Sequence, residues 1–193
     1  MQTADVVIVG GGVVGASVAY HLTERGCSNV LIVERAREQG AGSTGRATGG
    51  VRAQFSTAVN VAMSLYSLGF IENFREATGR DCGYLAAGYL FVATDDAQLE
   101  GLKAARERQR AAGLRDVELL DAGEVARRAP RLRCDKIAGG TFRQRDGFVA
   151  PLELMRGFTG RALERGARVL AETEVTGIDV EGGRVRGVRT SRG

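Results

Sequence analysis

Three glycines at fixed spacing, Gly10, Gly12 and Gly15, constrain the fold of this chain more than any other feature. They stand among segments with alternating strand and helix patterns: an apolar strand over residues 5–9, a helix over residues 16–25 and a second apolar strand over residues 30–33. Short apolar runs of this kind are typical of strands that are buried on both faces of a parallel sheet. Strand, helix and strand in this order predict a right-handed βαβ unit.

Each glycine of this pattern has a physical role in a βαβ unit. Gly10 permits the tight turn, Gly12 lets the backbone approach a pyrophosphate, and Gly15 lets helix and strand pack closely. The N–H groups of the first helical turn, which contains Val13 and Val14, stabilise phosphate charge. The pattern therefore predicts a dinucleotide site, with a glycine-rich turn in an unrelated α/β protein as the alternative.

Glu34 strengthens this prediction because it follows the second strand, 19 residues after Gly15. A carboxylate at this place accepts hydrogen bonds from a ribose diol and repels a 2′-phosphate. The glycine pattern and Glu34 together do not distinguish NAD from FAD.

The rest of the chain predicts an α+β part followed by a helix and a final set of strands. We expect helices from Thr57 to about Ala77, from Asp95 to Ala112, from Asp121 to near Pro130 and from Pro151 to Arg165. Strands or hairpins are expected over residues 84–94, 137–149 and 168–190, the last with a tight turn at Gly182-Gly183. These patterns predict a Rossmann-like part over residues 1–80, an α+β part with a mixed or antiparallel sheet over residues 81–150, and a helix followed by strands over residues 151–193.

Charge and composition exclude several classes of function. The net charge is +4, but the arginines are scattered among nearly as many carboxylates, whereas a nucleic-acid binder clusters them. No apolar run approaches the roughly 20 residues of a transmembrane helix. The N-terminus has no signal-peptide pattern, so we expect a soluble, cytoplasmic protein. Cys27, Cys82, Cys134 and the single histidine, His21, do not have zinc-site spacing, and we expect reduced thiols.

Five segments carry a resemblance to a known family: "VVIVGGGVVGASVAYHL", "VLIVER", "GAGSTGRATGGVRAQFS", "GYLFVA" and "DGFVAPLEL". In this order they resemble the glycine/D-amino acid oxidase family of FAD enzymes, which includes sarcosine oxidase, glycine oxidase and dimethylglycine dehydrogenase. The resemblance covers essentially the whole chain and is strongest at its N-terminal end. It implies an α/β fold, FAD as the cofactor, a partial substrate domain over residues 81–150 and a return to the FAD-binding part over residues 151–193.

The resemblance also implies roles for residues beyond the glycine pattern. The implied FAD contacts are Glu34 at the adenosine ribose, Arg35 near the adenine, Ser43, Thr44, Gly45 and Arg46 around the pyrophosphate and ribityl chain, Gly49, Gly50 and Val51 beside the isoalloxazine ring, and the backbone of Val175 at the adenine edge. Without the resemblance, residues 41–50 are typical of a flexible connector, and Val175 is an ordinary strand position. Some relatives attach FAD to a histidine in this loop; since the loop contains none here, a non-covalent cofactor is expected.

Arg52 lies where some sarcosine oxidases use an arginine to bind the substrate carboxylate. The fork of guanidinium donors suits a carboxylate. The alternative is a surface ion pair, which is the commoner arrangement for an arginine.

The resemblance implies an enzyme that oxidises the C–N bond of a small-molecule amino acid or N-methylated amino acid. Two alternatives remain: a non-catalytic assembly factor or accessory subunit, and an NAD-dependent dehydrogenase, against which the second glycine-rich segment argues. Family members are considerably longer. We therefore expect a C-terminally truncated polypeptide that binds FAD weakly or needs a partner subunit, because missing strands expose sheet edges and apolar faces.

Overall fold

The computed structural model describes residues 3–133 and 135–192, so the thiol expected at Cys134 lies outside the described residues. The strands are β1 (Val6–Val9), β2 (Val30–Val33), β3 (Gly50–Val51), β4 (Tyr89–Ala93), β5 (Glu118–Asp121), β6 (Gly139–Arg143), β7 (Gly147–Phe148), β8 (Arg168–Leu170), β9 (Val175–Glu181) and β10 (Arg184–Thr190). The helices are α1 (Val13–Glu24), α2 (Ser43–Arg46), α3 (Ala58–Glu72), α4 (Phe74–Thr78), α5 (Asp96–Ala111), α6 (Ala122–Arg128) and α7 (Pro151–Glu164).

The chain forms two compact units. Unit 1 contains the residues up to Gly49, Phe74–Gly83 and the residues from Ala150 onward, and unit 2 contains Gly50–Asn73 and Tyr84–Val149. The division expected at residue 80 differs from these units because α3 lies in unit 2. Its buried residues Val61 and Leu68 share a core there with Leu114 and Val117.

Unit 1 has the predicted βαβ architecture. Its sheet is parallel, with the strand order β1-β2-β8. The core of the unit combines residues of α1, β2 and α7 with one residue just before β8: Ala19, Val30, Ile32, Ala162 and Ala167. All four residues of β2 are buried, as the apolar sequence of a central parallel strand predicts.

The end of the chain adds the predicted hairpin to unit 1. β9 and β10 pair antiparallel, and Gly182 and Gly183 in the turn have φ angles of +58° and +73°. These left-handed conformations match the twist of a tight two-residue hairpin.

Unit 2 is built on an antiparallel sheet with the strand order β4-β6-β5. Beside it, β3 pairs antiparallel with β7. The hairpin expected over residues 137–149 is wrong, since β6 and β7 each pair with other strands rather than with each other. Their partners are distant in sequence, so local alternation of residues could not identify them.

A second correction concerns the helix expected from Thr57 to about Ala77, which is two helices, α3 and α4. Asn73 stands between them, and its Nδ2 donates a hydrogen bond to the carbonyl oxygen of Gly69 at 2.8 Å. Its backbone N–H donates to Phe70, three residues back, rather than four. An asparagine side chain that competes for helix carbonyls in this way ends an α-helix.

In the described part of the chain, Cys27 and Cys82 do not form a disulfide. No helix found there is both long and apolar enough to cross a membrane.

Candidate functional site

The glycine turn of unit 1 joins β1 to α1 through geometry that requires glycine. Gly10 has a φ angle of +102°, in the left-handed region. A Cβ on Gly15 would lie 2.1 Å from the carbonyl oxygen of Gly10, so the helix approaches the turn too closely for any side chain. The N-cap, Gly12, has no side-chain capping bond, and the first turn of α1 contains no acidic residue. This helix end therefore presents backbone donors and a positive dipole end to an anion.

Glu34 and Thr44 bring two further segments to the glycine turn. The Oε2 of Glu34 accepts a hydrogen bond from the N–H of Gly11 at 2.7 Å, and its Oε1 accepts from the N–H of Ala36 at 2.9 Å. The Oγ1 of Thr44, in α2, accepts from the N–H of Val13 at 3.0 Å. Each carboxylate oxygen has two lone pairs, so Glu34 can accept one more hydrogen bond on each.

Gln39 is a polar residue at this turn that sequence reasoning missed. Its Cγ and Nε2 lie 2.8 and 2.9 Å from the position that a Cβ on Gly11 would take. The Nε2 is buried and has no hydrogen-bond partner among the described residues. A buried donor without an acceptor costs about 1–3 kcal/mol, which an oxygen atom of a bound ligand would remove. No motif marks Gln39, because it lies in an irregular segment five residues after Glu34.

The remaining predicted cofactor residues of unit 1 take no part in the hydrogen bonds at the glycine turn. Gly49 is buried, and Val175 is half-buried at the start of β9. The others are exposed: Val14, Arg35, Ser43, Gly45 and Arg46. No hydrogen bond between described residues joins Arg35, Arg46 or Val175 to the glycine turn. The segment that could be read as a flexible connector, residues 41–50, contains the short helix α2.

Unit 2 contains the other predicted residues, Gly50, Val51 and Arg52. Gly50 and Val51 form β3, where they pair with Phe148 and Gly147. A Cβ on Gly50 would meet no atom within 4 Å, so the glycine leaves open space beside this strand.

Arg52 is half-buried among aromatic rings. Its guanidinium carbon lies 4.9, 5.2 and 5.4 Å from the ring centroids of Phe55, Tyr89 and Phe91. Its Nη1 donates to the hydroxyl of Tyr89 at 3.1 Å, while its Nε is buried without a partner. Across residues 3–133 and 135–192, Arg52 makes no ion pair. A cation that is partly desolvated by aromatic faces and lacks a carboxylate is suited to binding an anionic ligand.

A buried arginine, Arg143, lies at the end of β6 in the same unit and is 1% exposed. Its Nε donates to Asp116 Oδ1 at 2.7 Å, and its Nη1 donates to Asp146 Oδ1 at 2.6 Å. Burial opposes the charge of Arg143, but the hydrogen bonds from its guanidinium to Asp116 and Asp146 outweigh burial and raise the pKa of Arg143. Burial likewise opposes the charge of Asp116, but the hydrogen bond from Arg143 lowers the pKa of its carboxyl group. Arg143 and Asp116 therefore stay ionised near neutral pH.

The contacts in unit 1 fit the dinucleotide that the sequence predicts. The N-terminus of α1 offers donors to a pyrophosphate, Glu34 offers acceptors to ribose hydroxyls, and Gln39 holds a donor without an acceptor. In the same described residues, no group of three or more histidines, cysteines or carboxylates could hold a metal ion.

Comparison with known proteins gives several relatives. The β subunit of sarcosine oxidase from Rhizobium meliloti (strain 1021) is 34% identical over 194 residues, which cover 98% of this chain and 46% of that protein. The mitochondrial pyruvate dehydrogenase phosphatase regulatory subunit of Mus musculus is 30% identical over 190 residues, covering 98% of this chain and 21% of that protein.

The fold has a matching solved structure in the L-proline dehydrogenase of P. horikoshii. The TM-score is 0.91 at 31% sequence identity, and the match covers 100% of this chain and 50% of that one. The chain thus spans half the length of this structure and less than half of the two curated relatives. The family model described as "DAO: FAD dependent oxidoreductase" matches residues 5–193. Because this match extends over nearly the whole chain, the chain belongs to the DAO family of FAD-dependent oxidoreductases.

Proposed function

We propose that this protein takes part in oxidising the C–N bond of an amino acid or N-methylated amino acid, with non-covalently bound FAD. Arg52 carries the proposal. Its guanidinium has no carboxylate partner among the described residues and lies among three aromatic rings. The surface ion pair, which is the usual arrangement for an arginine, therefore does not account for its contacts. A substrate carboxylate does, because it accepts two parallel hydrogen bonds from such a fork.

The residues of unit 1 are proposed to hold the adenosine and pyrophosphate parts of the cofactor. Glu34 accepts from the ribose hydroxyls, the N-terminus of α1 binds the pyrophosphate, and the Nε2 of Gln39 donates to an oxygen of the cofactor. Arg35, Val175 and the loop residues Ser43, Gly45, Arg46 and Gly49 to Val51 complete the proposed contacts. When bound, FAD supplies the acceptor for the hydride equivalent that leaves the carbon next to nitrogen. Arg52 would bind and orient the substrate by its carboxylate.

The cofactor part of the proposal is tested by the absorbance spectrum of the purified protein, before and after FAD is added and the excess removed. A flavin band that is retained after the excess FAD is removed would support the cofactor site. In Glu34→Ala the dissociation constant for FAD should rise about tenfold or more, since a hydrogen bond to a charged group contributes about 1.5–3 kcal/mol. Glu38→Ala, in an exposed residue of the same segment, is the matched control and should bind FAD normally. Equal affinity in wild type and Glu34→Ala would remove Glu34 from the site.

The substrate part is tested by the kinetics of Arg52→Ala. We expect kcat/KM for amino acids to fall about 10- to 100-fold, mainly through KM, because the guanidinium binds the carboxylate in both ground and transition states. An amine of similar size without a carboxylate should be oxidised equally by both forms. If amino acids are oxidised equally well without Arg52, the carboxylate role is excluded.

A second candidate function is that of a non-catalytic accessory subunit. The similarity to a protein named as a regulatory subunit favours it. This function predicts a retained flavin band that no amine bleaches in the absence of oxygen.

Membership in the FAD-dependent family gives no support to an NAD-dependent dehydrogenase. A partner subunit and a cytoplasmic location remain parts of the proposal.

A further inference from the structure

A buried carboxylate, Asp146, is hydrogen-bonded to both residues that follow Arg52. Asp146 lies between β6 and β7 and is 0% exposed. Its Oδ1 accepts from the N–H of Ala53 at 3.0 Å, and its Oδ2 accepts from Nε2 of Gln54 at 3.3 Å. These bonds join residues 93 and 92 positions apart in the chain, so they exist only in the folded unit.

Gln54 extends this contact to the tyrosine that hydrogen-bonds Arg52. Gln54 is 5% exposed, and its Nε2 also donates to the carbonyl oxygen of Tyr89 at 2.9 Å. The hydroxyl of Tyr89 accepts from Nη1 of Arg52 at 3.1 Å. Asp146 thereby holds the backbone of Ala53, next to Arg52, directly. Through Gln54 it also holds β4, which contains Tyr89, the hydrogen-bond partner of Arg52.

A net gain in the free energy of unfolding does not explain why a charged residue is buried at Asp146. Arg143 compensates it at 2.6 Å, and both residues are almost fully buried. Replacing a buried ion pair with apolar residues is often neutral or stabilising, because the pair pays for its desolvation. Directional hydrogen bonds to Ala53 and Gln54 are what the carboxylate provides and an apolar side chain would not.

We propose that Asp146 is a positioning residue for Arg52 and, through it, for recognition of the substrate carboxylate. This inference rests on the proposed function, since Asp146 itself contacts no substrate. Arg143 has a supporting role, because its hydrogen bond to Asp146 Oδ1 at 2.6 Å fixes the orientation of the buried carboxylate.

The test is Asp146→Asn in the full-length, FAD-loaded protein, with benzoate as the probe and a flavin spectral shift as the readout. Asparagine keeps the volume but places an amide N–H₂ against the donors of Arg143 or Gln54, which disrupts the network. We expect the dissociation constant for benzoate to rise about tenfold, because a displaced Arg52 would lose one hydrogen bond to the benzoate carboxylate. Affinity for the uncharged analogue benzamide should not change.

A double-mutant cycle with Arg52→Ala separates positioning from a general loss of structure. If Asp146 acts through Arg52, then Asp146→Asn changes benzoate affinity less than about twofold in the Arg52→Ala background. An equal loss in both backgrounds, or no loss in a folded Asp146→Asn protein, overturns the proposal. Arg145→Gln is the matched control, because this neighbouring arginine is exposed and pairs with Glu72 instead.

Gln54→Met keeps the test decisive if Asp146→Asn does not fold, since it leaves the Arg143–Asp146 pair intact. It should weaken benzoate binding in the wild-type background and not in Arg52→Ala; equal effects in both overturn the proposal. Hydrogen exchange at the Ala53 amide is independent of any ligand and should be at least about tenfold faster in Asp146→Asn. If wild-type protein does not bind benzoate, the proposed role of Arg52 fails, and this exchange rate alone decides whether Asp146 holds the segment.

Discussion

A single added methyl group has opposite consequences at two glycines of unit 1. In Gly15→Ala the new Cβ would lie 2.1 Å from a backbone oxygen, which no side-chain movement relieves. We expect a loss of roughly 3 kcal/mol or more in the free energy of unfolding, and loss of FAD binding. In Gly160→Ala, within α7, the Cβ meets nothing within 4 Å. This change should stabilise by about 0.5–1 kcal/mol, because alanine favours a helix interior. Urea unfolding of both variants checks the contrast, and a stable Gly15→Ala protein would contradict the packing.

We expect His21 to make the free energy of unfolding depend on pH. Partial burial, reinforced by the charge of Arg25, lowers the pKa of its imidazole. The unfolded chain therefore binds the proton more readily, with a pKa near 6.5. The stability due to neutral His21 is fully present above about pH 6.5 and is lost as pH falls through the lower folded pKa. We expect the urea midpoint to decrease between pH 7.5 and pH 5.5.

His21→Gln is the control for this pH effect, because the chain contains one histidine. The slope of stability against pH should flatten in this variant over the same range. A slope that persists unchanged without His21 would assign the titration to another group.

At the level of single residues, the sequence predicted positions that follow from local backbone geometry. Gly10 and Gly15 lie in the turn and helix after β1, and Glu34 follows β2, so the spacing of the βαβ unit fixes their positions. Asp146 and Gln39 could not be predicted in this way. Asp146 acquires two of its partners, Ala53 and Gln54, from more than 90 positions away. Gln39 reaches the glycine turn from an irregular segment.

Among the elements, α5 has an N-cap, Asp95, whose side chain accepts a hydrogen bond from the first turn of the helix. Asp95 Oδ1 accepts from the N–H of Gln98 at 2.8 Å, and its Oδ2 accepts from the side chain of the same residue. We expect Asp95→Ala to lower the free energy of unfolding by about 1 kcal/mol. Asp96→Ala, one position further, removes only a charge near the helix dipole and should cost about 0.3–1 kcal/mol at low salt and less at high salt. Chemical denaturation at two salt concentrations distinguishes them; equal, salt-sensitive losses would show that the cap bond contributes nothing.

The elements that sequence predicted correctly have local start and stop signals. The capping box of Asp121 and Glu124 and the proline at the start of α7 are both present in the structure. Elements defined by distant partners were missed or wrong. β5 was not predicted at all, because its sequence alternates too little and its strand character comes from pairing with β6. The break at Asn73 was also missed, since apolar spacing continues through it.

At the scale of the whole molecule, the sheet of unit 1 has an open edge. Within the described residues β1 pairs only with β2, and Val9 at its end is 59% exposed. Open strand edges and exposed apolar side chains promote self-association. We expect Val9→Lys to reduce association in sedimentation velocity over a concentration series. The same change should alter the free energy of unfolding by less than about 0.5 kcal/mol, as is usual for exposed positions. A loss of several kcal/mol would mean that a second polypeptide covers Val9 in solution.

The chain alternates between its two units, and this limits how recombination can exchange one unit for another. The chain passes from one unit to the other at residues 49/50, 73/74, 83/84 and 149/150. Neither unit is encoded by one uninterrupted stretch of DNA, so a single recombination event cannot replace one and leave the other. Exons or fusions that end inside residues 50–149 would inherit parts of both. If Arg52 binds the substrate as proposed, new substrate preferences in this lineage are expected to arise by point mutation in unit 2 rather than by domain shuffling.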